Sequence, residues 1–462
     1  MFRIFKHYIP YEVMLLCALD LLLLVLAGEA GWHLRLWQVG LHPGGFEDRA
    51  VAISGFAVIV WLATIAVGTY TPMALRSLRF ATARIFVALG LGIFAISFVN
   101  LVIPGTALWR SILLYAMAIG MLLLVLNRIL MSRIIDKDAF RRRVLVLGAG
   151  PRAGRVVELS RRPDSGFKVL ACLWMGSGSA ERIEGAVDRA SVGDLGRYVE
   201  RIGAQEVVLA MQERRNTLPL KDLLRVKTKG VDVSDLPGFL ERETGRLDLE
   251  TLNPSWLIFS DGFTAGQRLS SVAKRAFDVI VSFVLLVLTL PLIVIFALLV
   301  KLESPGPAFY RQQRVGLFGQ HFLIPKLRSM RQDAEAQGAR WAQQDDPRIT
   351  RVGRFIRTLR IDELPQLWSV LKGEMSFVGP RPERPQFVSE LEEQLPFYAE
   401  RHMVKPGITG WAQINYPYGA SIEDARRKLE FDLYYAKNYS PFLDVLILLQ
   451  TARVILWPDG AR

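Results

Sequence analysis

The sequence predicts a membrane protein in three parts. These are an N-terminal four-helix transmembrane bundle, an α/β Rossmann-like middle domain, and a C-terminal α-rich domain entered through a re-entrant membrane helix. Three observations carry this. Four apolar segments, at about 12–31, 50–70, 82–103 and 110–131, are each long enough to span a bilayer. A glycine turn opens a run of alternating strands and helices after about residue 140. A fifth apolar segment, Lys274 to Lys301, has basic flanks and a proline in its middle. The expected boundaries are 1–139 for the bundle, 140–260 for the Rossmann-like domain, 261–274 for a linker, 275–303 for the re-entrant helix and 304–462 for the last domain.

Composition agrees. A length of 462 residues suggests two to four domains, and 51% hydrophobic residues with a net charge of +13 is an odd pair for a soluble chain. Together they point to a membrane protein with a basic side, handling anionic lipid or phosphate-bearing substrates. The apolar segments argue against the other usual partner of a basic chain, nucleic acid. Cys17 and Cys172 lie far apart in apolar runs, so no disulfide is expected, and with five scattered histidines they offer no zinc spacing. A metal here is expected to be a hard ion held by oxygen, such as magnesium.

The first span follows a charged Met1–Lys6 without a small-residue cleavage site, so it reads as an anchor. Lys and Arg number ten in the loops 1–11, 71–84 and 132–143, against three (Arg35, Arg49 and Arg110) in the opposite loops. By the positive-inside rule both ends of the bundle face the cytoplasm. Asp20 lies within the first span with no role assigned.

RRVLVLGAGPRAGRVVEL reads as strand, tight turn and helix, with Gly148, Gly150 and Ala153 at the three fingerprint positions. KVLACLW, LGRYVERIG and QEVVLAM continue the alternation. Dinucleotide binding also needs an acidic residue after the second strand. That strand ends at Leu173-Trp174-Met175, so a regulatory, nucleotide-sensing or structural domain is expected instead.

In the fifth segment, basic flanks disfavour crossing, and Pro291 interrupts the hydrogen-bond ladder and bends the helix. A helix-break-helix entering and leaving on one face satisfies both. It keeps residues 302–462 cytoplasmic.

That last region is rich in cations suited to phosphate: Lys326 and Arg328 in KLRSM; Arg351, Arg354, Arg357 and Arg360; and Arg381, set between prolines in GPRPERP. For Arg351, Arg354 and Arg360 a basic face on anionic lipid is the favoured reading. Among these cations stands RIDELPQLWSVLKGEM. Asp362 and Glu363 can be read as first-turn residues of a helix whose Leu364, Leu367, Trp368 and Leu371 form one buried face. Set inside a basic ring, the same carboxylates are expected to stay ionised. Such a carboxylate can attack phosphorus or hold magnesium against a pyrophosphate.

SPGPAFYRQQRVG, KLRSM, DELPQLWSVLKGEMSFVGPRP and KPGITGWAQIN resemble the signature blocks of the bacterial polyprenyl-phosphate sugar phosphotransferases, the monotopic phosphoglycosyl transferases. The resemblance covers about 270–462, and the preceding parts are similar to the family's long form. PSWLIFSDGF and KLEFDLYYAKNYS look most like its exopolysaccharide-initiating branch. The resemblance implies that Asp362 attacks the β-phosphate of a UDP-sugar and releases UMP. Polyprenyl (undecaprenyl) phosphate then takes the phosphosugar. It implies Glu363 as the Mg2+ ligand, Lys326, Arg328, Arg357 and Arg381 as phosphate-binding residues, and Pro291 as the kink of the re-entrant helix, with Thr289 nearby. It also implies a bacterial inner membrane location with the catalytic domain on the cytoplasmic face. Ser369 and Glu374 depart from residues common in the family, which bears on substrate detail. A homodimer is a further candidate assembly, since such bundles often dimerise.

Two other classes compete. An oxidoreductase or epimerase lacks its ribose carboxylate and a Tyr-x-x-x-Lys pair. A membrane scaffold or nucleotide sensor predicts a broken dyad or lost arginines, and both are intact. PFLDVLILLQTARVILW reads equally as an interfacial amphipathic helix or as a core helix of the last domain.

Overall fold

The computed structural model describes residues 2–4, 7–9, 11–42, 44–70, 78–102, 108–134, 141–162, 165–176, 182–212, 218–260, 262–263, 268–332, 334, 346–417, 419 and 421–456. The chain divides into two compact units, Met1–Leu257 and Ile258–Arg462. Apolar helices fill the N-terminal part, a parallel sheet with helices follows, and the C-terminal region is largely helical, as expected from the sequence.

In the first unit, β1 (Phe2–Ile4) and β2 (His7–Ile9) pair antiparallel before four long helices: α1 (Tyr11–Val39), α2 (Glu47–Val67), α3 (Leu78–Val102) and α4 (Arg110–Ile134). Each contains a stretch long and apolar enough to cross a membrane. Their shared core includes Leu24, Ile53, Phe56, Val60, Ile85 and Ile112, while many other apolar side chains, such as Phe86, Phe94 and Leu114, face outward. Burial inside and apolar surface outside is the pattern lipid demands. Asp20 is fully buried and paired with Arg128 at 2.7 Å, with Asn127 and Tyr70 donating to the same carboxylate. An intramembrane charge is thus neutralised inside the bundle.

The parallel sheet has the order β5-β4-β3-β6-β7, built from β3 (Arg142–Leu147), β4 (Phe167–Trp174), β5 (Val187–Asp188), β6 (Glu206–Leu209) and β7 (Asp232–Asp235). α5 (Pro151–Arg161), α6 (Leu195–Ile202), α7 (Leu220–Thr228) and α8 (Leu236–Thr244) accompany it. Gly148 has φ +130°, and a Cβ there would meet the Ala210 backbone at 2.8 Å, so the turn admits only glycine. The cleft at the strand ends is lined by Gly148, Gly150, Arg152, Trp174 and Met211 among others, with no carboxylate among the described lining residues. Cys17 and Cys172 are free thiols, as expected.

The second unit starts on α9 (Arg268–Glu303), which contains Pro291 and exposes Phe283, Val287, Leu290, Ile295 and Leu298. The sequence suggested a break at the proline, whereas the helical assignment runs through it. Thr289 turns its hydroxyl onto the Leu285 carbonyl one turn back. Both ends of α9 pack on the same globular domain. Arg275 donates to the carbonyls of Val370 and Leu371 at 2.6 and 2.7 Å, and Asp278 accepts from the Phe377 amide at 3.0 Å. At the other end Val300 is buried with Leu327, Ile356 and Ile361.

That domain comprises the hairpin β8 (Phe309–Val315) with β9 (His321–Leu327), α10 (Arg351–Thr358), a 3-10 turn (Ile361–Gln366), α11 (Leu367–Lys372), and β10 (Ser376–Val378) paired parallel to β11 (Gly407–Thr409). α12 (Pro385–Gln394), α13 (Trp411–Asn415), α14 (Ile422–Asn438) and α15 (Pro441–Leu456) complete it. Over its first half α15 is a core helix: Leu443 and Ile447 are buried, and Asp444 meets Lys274 of α9 at 2.7 Å. The side chains of 452–456 lie outside the described residues.

Candidate active site

The segment that opens with the two carboxylates is not one capped helix. Arg360 takes a left-handed conformation, φ +55°, and starts the tight 3-10 turn in which Pro365 needs no N–H partner. No side chain caps this turn. The adjacent α10 is capped instead by Thr350, which accepts from the Gly353 amide. The predicted buried face is also incomplete: Leu367 is buried, whereas Trp368 is 53% exposed. A 3-10 turn repeats every three residues, which shifts the helical phase ahead of α11.

The turn directs the two carboxylates into different surroundings. Glu363 accepts from Lys326 of β9 at 3.1 Å and from Arg381 at 3.0 Å, both on Oε1, with Arg360 3.5 Å from its other oxygen. Burial raises its pKa, but Arg381, Lys326 and Arg360 outweigh that and hold the carboxyl well below the usual range. Lys326 is in turn lowered, chiefly by burial and against the pull of Glu363. Asp362 is buried, and among the described residues no side chain donates a hydrogen bond to it. Burial first, then the neighbouring Glu363 charge, push it up to about 6, against the opposing effects of Lys326, Arg357 and Arg360. At neutral pH both carboxylates are ionised, as expected, but by different margins. Glu363 is locked in the charged form, while Asp362 titrates just below neutrality, because its desolvation exceeds the help of its cations.

The structure assembles Asp362, Glu363, Lys326, Arg357 and Arg381. Arg357, on the last turn of α10, carries a buried Nη1 with no hydrogen-bond partner among the described residues. It is one of the cations acting on Asp362. Arg328 is placed elsewhere: it is buried and donates to the carbonyls of Pro305 and Ser304 at 2.6 and 2.7 Å, closing the C-terminal end of α9. Pro291 lies on α9, away from the carboxylates in the chain, among exposed apolar side chains.

Sequence reasoning missed two arginines. Arg401, buried, pairs with Asp432 at 2.6 Å and donates to the Arg381 carbonyl at 3.0 Å, which fixes the backbone that carries Arg381. Nothing local in the sequence marks it. Arg314, within the quoted SPGPAFYRQQRVG, lines a shallow open cleft with Lys326, Glu363, Gln366, Arg381 and Gly407. Its signal was the alternation of that strand.

Among the described residues no three His, Cys, Asp or Glu side chains gather as a metal cage. Two adjacent carboxylates nonetheless suit a magnesium ion, which usually takes one or two of them and completes its shell with water and substrate phosphate.

Residues 269–458 match the family described as bacterial sugar transferase. Over 240 residues the chain is 45% identical to the UDP-N-acetylgalactosamine-undecaprenyl-phosphate N-acetylgalactosaminephosphotransferase of Aeromonas hydrophila, covering 52% of this chain and 56% of that one. It is 42% identical over 190 residues to the UDP-glucose:undecaprenyl-phosphate glucose-1-phosphate transferase of Caulobacter vibrioides, 41% of this chain and 71% of that one. It is 30% identical over 375 residues to the undecaprenyl-phosphate galactose phosphotransferase of Salmonella typhimurium, 76% of each chain. The chain thus spans just over half the length of the Aeromonas relative.

Proposed function

The chain belongs to the bacterial sugar transferase family, and from that premise we propose that it moves a sugar-1-phosphate from a UDP-sugar to undecaprenyl phosphate, the first step of building an exopolysaccharide. The observation that carries this reading is the split dyad, one carboxylate locked ionised by cations and its neighbour buried with no side-chain donor among the described residues.

Asp362 is the nucleophile. Its oxygen forms a bond to the β-phosphorus, the bond from that phosphorus to the bridging oxygen breaks, and UMP leaves with the electron pair. The phosphosugar is then held on Asp362. A lipid phosphate oxygen attacks the same phosphorus, frees the carboxylate and yields polyprenyl-diphosphate-sugar. Two displacements let one site serve a water-soluble donor and then a membrane acceptor. With Asp362 raised to about 6, it is ionised at neutral pH and more basic than an ordinary carboxylate. Lys326, Arg381 and the unpartnered Nη1 of Arg357 stabilise the phosphate charges. Glu363 would hold magnesium, which supplies charge neutralisation on the diphosphate. Arg328, called from sequence as phosphate-binding, serves by fixing the end of α9.

We read α9 as a re-entrant helix bent at Pro291, in the bacterial inner membrane, with the catalytic domain on the cytoplasmic face. What supports this is that both ends of α9 rest on one globular domain while its middle exposes apolar side chains. A spanning helix would have to leave one of those contacts on the far side.

The test is UMP release by the purified chain with undecaprenyl phosphate, magnesium and a panel of UDP-glucose, UDP-galactose and their N-acetylated forms. The relatives named above carry different sugars, so the panel also identifies the donor. Release from one sugar is expected; none from a folded protein would remove the reading.

A further inference from the structure

The cleft beside Glu363 holds a cation that the dyad chemistry does not use. Arg314 stands on β8 opposite Phe322 of β9, and Tyr310 stands opposite Lys326 in the same ladder. Residues directly opposite share a face and faces repeat every second residue, so Arg314, Gln312, Ile324 and Lys326 lie on one side of the hairpin. Lys326 is four residues beyond Phe322, which spaces its backbone about 14 Å from that pair. Their long side chains converge on the same cleft.

The Arg314 guanidinium is held but not satisfied. One Nη donates to the Pro382 carbonyl at 3.0 Å and the other to Gln312 Oε1 at 2.5 Å, while Glu383 stands 3.6 Å away. Its Nε is buried and has no hydrogen-bond partner among the described residues. The side chain is therefore fixed from behind by the residue that follows Arg381, and it lines the cleft. The cleft lining presents Arg314, Lys326 and Arg381 against the single carboxylate of Glu363. That leaves two positive charges in excess, which is the charge of a diphosphate esterified at both ends.

We propose that Arg314 is a fourth phosphate-binding residue, gripping the nucleotide-side phosphate and making the cleft a site for diphosphates rather than monophosphates. Lys326 and Arg381 are tied to Glu363 and so serve the phosphate that Asp362 attacks. Arg314 sits two residues of ladder beyond Gln312 and Ile324 and meets the other phosphate, the one that takes up negative charge as the bridging bond breaks. This inference rests on the reaction proposed above.

The probes are inorganic pyrophosphate and inorganic phosphate, titrated with magnesium into the full chain in detergent, wild type beside Arg314→Gln and Arg314→Lys. Wild type should bind pyrophosphate more tightly than phosphate. Arg314→Gln should weaken pyrophosphate about tenfold, as expected for a lost charge-assisted bond, and leave phosphate within about twofold. Arg314→Lys, which keeps the charge and can still reach the Pro382 carbonyl, should restore part of the difference. In turnover kcat for the UDP-sugar should fall along with a rise in KM, since the contact strengthens as the bridging bond breaks. Equal weakening of both anions, no weakening of either, or a wild type that does not discriminate overturns the assignment. Absence of UMP release by wild type judges the reaction instead, and does so independently of the anion titration.

Discussion

Arg381 donates to Glu363 across 3.0 Å, onto the same oxygen that Lys326 reaches at 3.1 Å. Two cations on one carboxylate oxygen keep Glu363 ionised while its charge, added to burial, raises Asp362 next to it. One short turn thus yields a fixed anion beside a carboxylate that burial and its neighbour raise.

Glu363→Gln removes one of the two causes that raise Asp362 and leaves Lys326 and Arg381 without their partner. The rate of UMP release should fall about 10²–10³-fold, as for other electrostatic groups aimed at a reacting centre. Its acid limb should move to lower pH. Single-turnover rates between pH 5 and 8 check both, and an unmoved limb contradicts the coupling.

Wild type should lose activity on acidification, because Asp362, as the proposed nucleophile, would react only when ionised. kcat/KM should fall about tenfold per pH unit below about 6 and level off above it. A midpoint near the ordinary carboxylate value would show that the desolvation has been misjudged.

Asp362→Asn should abolish turnover and stabilise the fold. The folded chain holds the Asp362 proton more tightly, up to about 6 against an ordinary 3.8. Stability linked to this group is therefore full below the unfolded value and lost as pH rises through about 6. At neutral pH the amide escapes that loss, a gain of at most about 3 kcal/mol. Denaturation of both proteins at pH 5 and pH 7.5 checks the sign: the difference should shrink at the lower pH.

How much of this was legible in the sequence depends on whether the cause is local. The spans of α1–α4 follow from apolar length, and the sheet from alternating strands and helices, with Gly148 marking the turn. The dyad was singled out through its motif, with Lys326, Arg357 and Arg381, and the fold brings these five side chains together. The raised Asp362 was not legible, because desolvation depends on what the fold packs around a residue. Arg328 was misplaced for a similar reason: two residues from Lys326 on the chain, it falls beyond the end of β9 and turns to the carbonyls that end α9. Trp368 was read by helical period, which the preceding 3-10 turn displaces.

Arg328→Ala should accordingly act on stability. It strips charged donors from the end of α9, at a cost of about 2–4 kcal/mol. The KM for the donor in the folded fraction should stay within about twofold. A tenfold rise in KM without loss of stability would return Arg328 to the phosphate site.

Single cysteines placed at Val272 and Leu302, both exposed beside the two ends of α9, should react with an impermeant thiol reagent only after the inner membrane of intact cells is opened. Labelling of one position from outside would make α9 a spanning helix.

The most direct measurement is the intact mass of the purified chain mixed with its UDP-sugar donor in the absence of lipid acceptor. The account predicts an added hexose- or N-acetylhexosamine-phosphate on the peptide that contains Asp362, one UMP released per chain, and loss of the adduct when undecaprenyl phosphate is supplied. UMP released only when lipid is present, with no adduct on the chain, would contradict it and mean that the lipid attacks the donor directly.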